Sequence, residues 1–297
     1  MVHWNNRESA RKILLIGDIM LDQYIIGMPR PLYQETEISC FLGSAAGIAA
    51  NIKNMGGQVT LAGVVGKDEN GDILRRLLNQ KDIPAVLGVD STRPTTVKKQ
   101  ISIRGQLMVR LDREQLGDIP MGIFHDILKV MAVLLEDVKL VSILDYGKGV
   151  VTRELVIAVI EICQSKNIPV IVDSNGSDFS KYKGADVLKL SFQAMETLYG
   201  KEILGIDDLE TAMKLLYTVT ECRACIVSWL IPIPANGVIF FRSPSDWIHF
   251  PWALNRKEIH FPCADDLFMA ALAIAAAQGC SMESSCRMAG ETAAACL

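Results

Sequence analysis

Short apolar runs alternate with amphipathic stretches along most of the chain. Lys12 to Gly17 (KILLIG) is continuously apolar, the pattern of a strand buried on both faces of a parallel sheet. Gln58 to Val65, Leu140 to Leu144, Pro169 to Val172, Val187 to Leu190, Ala224 to Ser228 and Gly237 to Phe241 predict further strands. Helical periodicity falls between them, over Gly43 to Met55, Asp72 to Gln80, 121–136, 153–166, 192–199 and 207–219. This rhythm predicts a doubly wound parallel sheet with right-handed crossovers. Two segments break it. Val97 to Arg104 and Gln106 to Asp112 alternate about Gly105 as an antiparallel hairpin, and Tyr33 to Phe41 reads as extended. Segments of about 33–42 and 95–113 are therefore expected to form a small sheet standing off the main one as a lid. Glu258 to Gly279 reads as a short strand, a tight turn at Pro262-Cys263-Ala264 and a long apolar helix carrying Asp265 and Asp266 in its first turn.

Length and charge narrow the classes. At 297 residues the chain can bury a large core as one α/β domain, 1–297. Half the residues are hydrophobic, 22% are charged and the net charge is −4, with Lys and Arg scattered. No basic field points to nucleic acid or an anionic membrane, and a small-molecule partner is expected. Of the eight cysteines only Cys222 and Cys225 have CxxC spacing, with no second pair or His nearby, so reduced structural thiols are expected and no metal. The start MVHWNNRESARK lacks a signal peptide's apolar region, and Leu267 to Ala277 is too short to span a bilayer. A soluble, cytoplasmic protein is the expectation.

Candidate chemistry gathers where strands end. Asp18, Asp145 and Asp173 each follow an apolar strand, and in open α/β sheets ligands sit beyond the carboxyl ends of strands. A lone Asp there is ordinarily a turn residue; three form a candidate site. At the late helix, Asp265 or Asp266 is either an N-cap or a carboxylate base placed where a helix start favours an arriving phosphate.

GDIMLDQY (17–24), GSAAGIAANI (43–52), RGQLMVRLD (104–112), LDYGKG (144–149), VDSNGSDFSKYKGAD (172–186) and CADDLFMAALA (263–273) follow one another as in the ribokinase/PfkB sugar kinases. Over about Lys12 to Leu297 the chain most resembles the kinase half of the heptose-7-phosphate kinase/adenylyltransferases. The resemblance implies a three-layer α/β/α ribokinase-like fold whose small β-sheet lid often builds a homodimer. It implies ATP and Mg²⁺ as the cofactors and a sugar phosphate as the acceptor. The family's G-A-G-D turn then falls on Cys263, Ala264, Asp265 and Asp266: an anion hole from the first three and a catalytic base at Asp266. Asp18, Gly43, Arg104, Arg110, Asp145, Lys148 and Asp173 would face the sugar and its phosphate. Ser191, Ser228 and Gly237 would lie on the nucleotide side.

Departures from the family pattern define a second reading. Both glycines of G-A-G-D are replaced, by Cys263 and Asp265. A second carboxylate there would repel a phosphate by on the order of 4 kcal/mol at ~4 Å and a dielectric near ~20, unless a cation shields it. The magnesium-organising N-x-x-E falls on Ser191 and Ala194; in G-G-A-A-N the second glycine is Ser44 and the asparagine Gly47; the lysine expected after Asp173 is Asn175. Leu297 falls within what reads as the closing helix, so the resemblance leads to the expectation that the family's last strand is absent. A carbohydrate kinase is the main expectation, with a pseudokinase acting in ligand binding or assembly as the alternative. A nucleoside kinase ranks lower, and a dinucleotide oxidoreductase lower still, because no GxGxxG follows the first strand.

Overall fold

The computed structural model describes residues 12–28, 34–103, 106–229, 237–251 and 261–295. From the N-terminus come β1 (Lys12–Gly17), β2 (Ile19–Met28), β3 (Gln34–Ser44), α1 (Ala45–Asn54), β4 (Gln58–Gly66), α2 (Glu69–Gln80), β5 (Ala85–Asp90), β6 (Val97–Ile103) and β7 (Gln106–Arg113). Then follow α3 (Met121–Leu134), β8 (Val138–Asp145), α4 (Arg153–Ser165), β9 (Val170–Ser174), β10 (Val187–Ser191), α5 (Phe192–Tyr199), α6 (Ile206–Thr220) and β11 (Ala224–Trp229). The series closes with β12 (Gly237–Ser243), β13 (Asp246–Pro251), α7 (Phe261–Ala277) and α8 (Met282–Ala294).

Nine strands form the main sheet, in the order β13-β12-β11-β10-β9-β8-β1-β4-β5. Its pairs are parallel from β5 through β11; β12 and β13 run antiparallel at one edge. Alternate residues of one strand supply opposite cores. Leu14 and Ile16 pack with the apolar faces of α3 to α6, whereas Ile13 and Leu15 pack with α1, α2, α7 and α8. Both faces are therefore dry, which is why these strands read as unbroken apolar runs.

A separate four-stranded sheet has the order β3-β2-β6-β7. The expected hairpin is present as β6 and β7, and the extended segment is β3, running on to Ser44. Between them lies β2, which the sequence reading left unassigned, as it did the edge strands β5 and β13. The turn expected at 262–264 is instead helical: α7 starts at Phe261, which moves Asp265 and Asp266 out of the first turn.

Where β3 hands over to α1, Ser44 sits at φ 53°, ψ −130° and caps nothing. Its buried hydroxyl has no hydrogen-bond partner among the described residues. A non-glycine residue held in so sparse a region costs on the order of 1–3 kcal/mol, and glycine would relieve most of it. Ser44→Gly is accordingly expected to raise the melting temperature by about 2–4 °C. An unchanged or lower midpoint by calorimetry would show that this backbone is not strained.

Candidate active site

The carboxyl ends of β1, β8, β9, β10 and β11 form one rim, and α7 begins above it. At one end of the rim the chain uses its own carboxylates to hold a loop. Asp18, 1% exposed, accepts the backbone N–H groups of Tyr146 (2.8 Å), Lys148 (3.0 Å) and Val150 (3.3 Å). Burial pushes this carboxyl up to about 6, against the pull of those donors. Asp145 is as deeply buried and accepts Gly147 N–H (3.0 Å), the Tyr182 hydroxyl (2.6 Å) and the Lys181 ammonium. Both were expected to face the sugar; in the structure Asp18 holds the loop after β8, and Asp145 holds Gly147 of that loop together with Lys181 and Tyr182 after β9.

Further along, two carboxylates meet one lysine. The parallel register of β9 and β10 sets Lys189 directly beside Asp173. Lys189 is 2% exposed, and its ammonium lies 2.9 Å from Asp173 Oδ1 and 2.8 Å from Asp265 Oδ2. Asp173 Oδ2 also accepts the Tyr146 hydroxyl at 3.0 Å, and Ser228 Oγ donates to Asp265 Oδ1 at 3.3 Å. Burial drives Asp173 upward and would drive Lys189 downward, but the two carboxylates reverse that and hold the lysine charged. The sequence reading missed Lys189; inside VLKLS it looks like an ordinary alternating strand residue.

Asp266, next along α7, is half-buried. Its Oδ2 lies 3.3 Å from where a Cβ on Gly47 would stand, so the glycine at the family's asparagine position leaves room for this carboxylate. Burial raises Asp266 well above the usual carboxylate range; the charges of Asp265, Asp173 and Asp22 add to the rise and Lys189 opposes it. Within α7, Cys263 is the third helical residue and the last whose amide precedes the first i→i−4 hydrogen bond. Ala264 and Asp265 stand at positions whose amides bond within a helix, leaving one backbone donor, that of Cys263, of the three expected.

The small sheet supplies a second group of charges. Asp22 on β2 presses on Gly43, whose missing Cβ would sit 2.6 Å from the carboxylate. Its Oδ1 is buried without a hydrogen-bond partner among the described residues. Burial raises Asp22, while Lys98 and Arg110 pull it back. GDIMLDQY contains this aspartate, but Asp18 drew attention because it ends a strand. Arg110 forks onto Asp112 at 2.9 and 2.7 Å, and Lys148 pairs with Glu114 at 2.7 Å. Arg104 and the loop 230–236 lie outside the described residues. Ser191 caps α5 through Ala194 N–H (3.2 Å), and Gly237 pairs with Trp229 and Pro251 inside the sheet.

Magnesium is a poor fit to the side chains present. The two carboxylates that converge most closely already share an ammonium, and no group of three or more His, Cys, Asp or Glu among the described residues could hold a metal ion. No helix among them is long and apolar enough to cross a membrane.

A parallel sheet with a carboxylate-lined rim, a late helix opening over it and a second small sheet alongside define a ribokinase-like carbohydrate kinase fold. Phosphofructokinase-2 from Escherichia coli, solved in complex with fructose-6-phosphate, superposes with a TM-score of 0.76 over 97% of this chain and 94% of that one, at 19% identity. A carbohydrate kinase from Agrobacterium tumefaciens gives 0.69 over 96% and 90%, at 18% identity. The model of the pfkB family carbohydrate kinases matches residues 10–297, and the chain belongs to that family. Relatives include the bifunctional protein HldE of Helicobacter hepaticus, 32% identical over 295 residues, 96% of this chain and 60% of that protein. The protein of the same name in Haemophilus influenzae is 29% identical over 301 residues, 99% of this chain and 61% of that one. The chain thus spans about three fifths of the length of these relatives.

Proposed function

We propose that the chain is an ATP-dependent sugar-phosphate kinase of the heptose-7-phosphate type, acting in the cytoplasm. The observation that carries this reading is Asp266. It is a half-buried carboxylate in the second turn of α7, and burial raises it well above the usual carboxylate range. As the hydroxyl oxygen of the sugar attacks the γ-phosphorus, Asp266 takes the hydroxyl proton, the new O–P bond forms and the bond to ADP breaks. Positioning and charge neutralisation do most of the work in such transfers. The amide of Cys263, at the open end of α7, would meet the transferring phosphoryl group. Asp22 would hold sugar hydroxyls, and Lys98, Arg110 and Lys148 would face the acceptor's own phosphate, each exchanging a carboxylate partner for it. No step is assigned to a protein-held metal; magnesium would arrive with the nucleotide. ADP release from ATP in the presence of a heptose 7-phosphate tests the reading, and folded protein that gives none with any sugar phosphate overturns it.

One observation favours the pseudokinase alternative. Asp265 brings a carboxylate to the donor side of the site, and Lys189 anchors it there.

The four-stranded sheet would act as lid and dimer surface. Ile26, Ile38, Phe41, Leu107, Met108, Val109 and Leu111 are each more than two-fifths exposed, and β7 is an open edge. Exposed apolar edges of this kind pair with other chains. Val109→Glu with Leu111→Glu is expected to convert a dimer to monomer in sedimentation velocity; a wild-type chain already monomeric at working concentration refutes the dimer.

A further inference from the structure

We infer that Lys189 and Ser228 form an oxyanion subsite beside the start of α7, and that the Asp265 carboxylate fills it from within the chain. A phosphate-type oxyanion would then bind by displacing that carboxylate. Each Asp265 oxygen takes one donor: Oδ2 the Lys189 ammonium at 2.8 Å, Oδ1 the Ser228 hydroxyl at 3.3 Å. A phosphate has oxygens to satisfy the same two donors, and cation plus hydroxyl is the usual pairing for it. The donors stand on neighbouring parallel strands, β10 and β11, so their spacing is set by the sheet. Lys189 is 2% exposed and would keep its place when Asp265 leaves, because Asp173 still holds it. Asp265 is 39% exposed and has solvent to turn into. The carboxylate thus stands at a position where the family pattern has glycine, among donors suited to an anion. The inference takes its ligand class from the kinase reading, while its geometry is independent of turnover.

Calorimetric titration of the full chain with inorganic phosphate, tripolyphosphate and fructose 6-phosphate tests it. Asp265→Ala is expected to tighten phosphate and tripolyphosphate at least tenfold and to leave fructose 6-phosphate unchanged. A larger gain for tripolyphosphate assigns the subsite to a nucleotide tail; equal gains assign it to free phosphate. Adding Ser228→Ala, a mild change that leaves the buried ion pair intact, should remove most of the gain. Equal affinities in wild type and Asp265→Ala overturn the inference, as does a gain that survives Ser228→Ala or one confined to fructose 6-phosphate. Failure of the kinase reading would appear as absent turnover, with the phosphate titrations unaffected.

Discussion

Lys189→Met is expected to lower the melting temperature by roughly 6–15 °C, the largest stability effect of any single exchange at the rim. Methionine fills much the same volume, so the loss is electrostatic. The change strips the cation from Asp173, which is 2% exposed and retains only the Tyr146 hydroxyl as a described donor. Breaking a buried pair from one side costs about 3–5 kcal/mol, because the remaining charge has neither water nor partner. Removing both charges together is far milder. Lys189→Met combined with Asp173→Asn should therefore recover most of the lost stability, and the double-mutant cycle should show strong coupling. If the single variant melts with the wild type, the buried pair is not what organises this end of the site.

The second large effect falls on rate. Asp266→Asn keeps the size of the side chain and removes its basicity. Positioned proton acceptors contribute ~10²–10⁴-fold, and kcat should fall by that factor with little change in KM. Stability should hold or rise, since the carboxyl is crowded by Asp265 and Asp173. The pH profile adds a signature that a packing role would not produce. Because Asp266 holds its proton to higher pH than an ordinary carboxylate, the wild-type rate should climb as pH rises through that raised value. The amide variant should lose this limb.

Much of the architecture was legible because its physics is local. A strand buried on both faces must be apolar throughout, and β1, β4, β8, β9, β10 and β11 all lie within or next to runs picked out on that basis. The strands that escaped notice lack the signal. β5 is an edge strand of mixed exposure, and β13 is another edge, exposed or half-exposed throughout. β2 puts Asp22 and Gln23 amid apolar residues, which blurs both the alternating and the continuous pattern.

The site divides along the same line. Carboxylates that end apolar strands were found from the sequence, because strand ends are visible there. Their contacts were not: Asp18 accepts from Tyr146, 128 residues away in the loop after β8, and Asp145 accepts from Tyr182, 37 residues away after β9. Lys189 could not have been singled out, since its meaning comes from lying beside Asp173 across two strands and beneath Asp265 on a helix 76 residues later. The repulsion expected between Asp265 and an incoming phosphate assumed an unshielded charge. The structure supplies the shielding cation, and supplies it to the carboxylate rather than to a ligand.

Everything functional here depends on whether Asp266 accepts the proton of a sugar hydroxyl as the phosphoryl group arrives. Phosphorus NMR of ATP with a heptose 7-phosphate, run on wild type and Asp266→Asn side by side with folded fractions matched by circular dichroism, reads that directly. The wild type should form ADP and one new phosphate ester in equal amounts, and the variant should form both at least ~100-fold more slowly. Equal rates in the two proteins, or ADP accompanied only by inorganic phosphate, would contradict it.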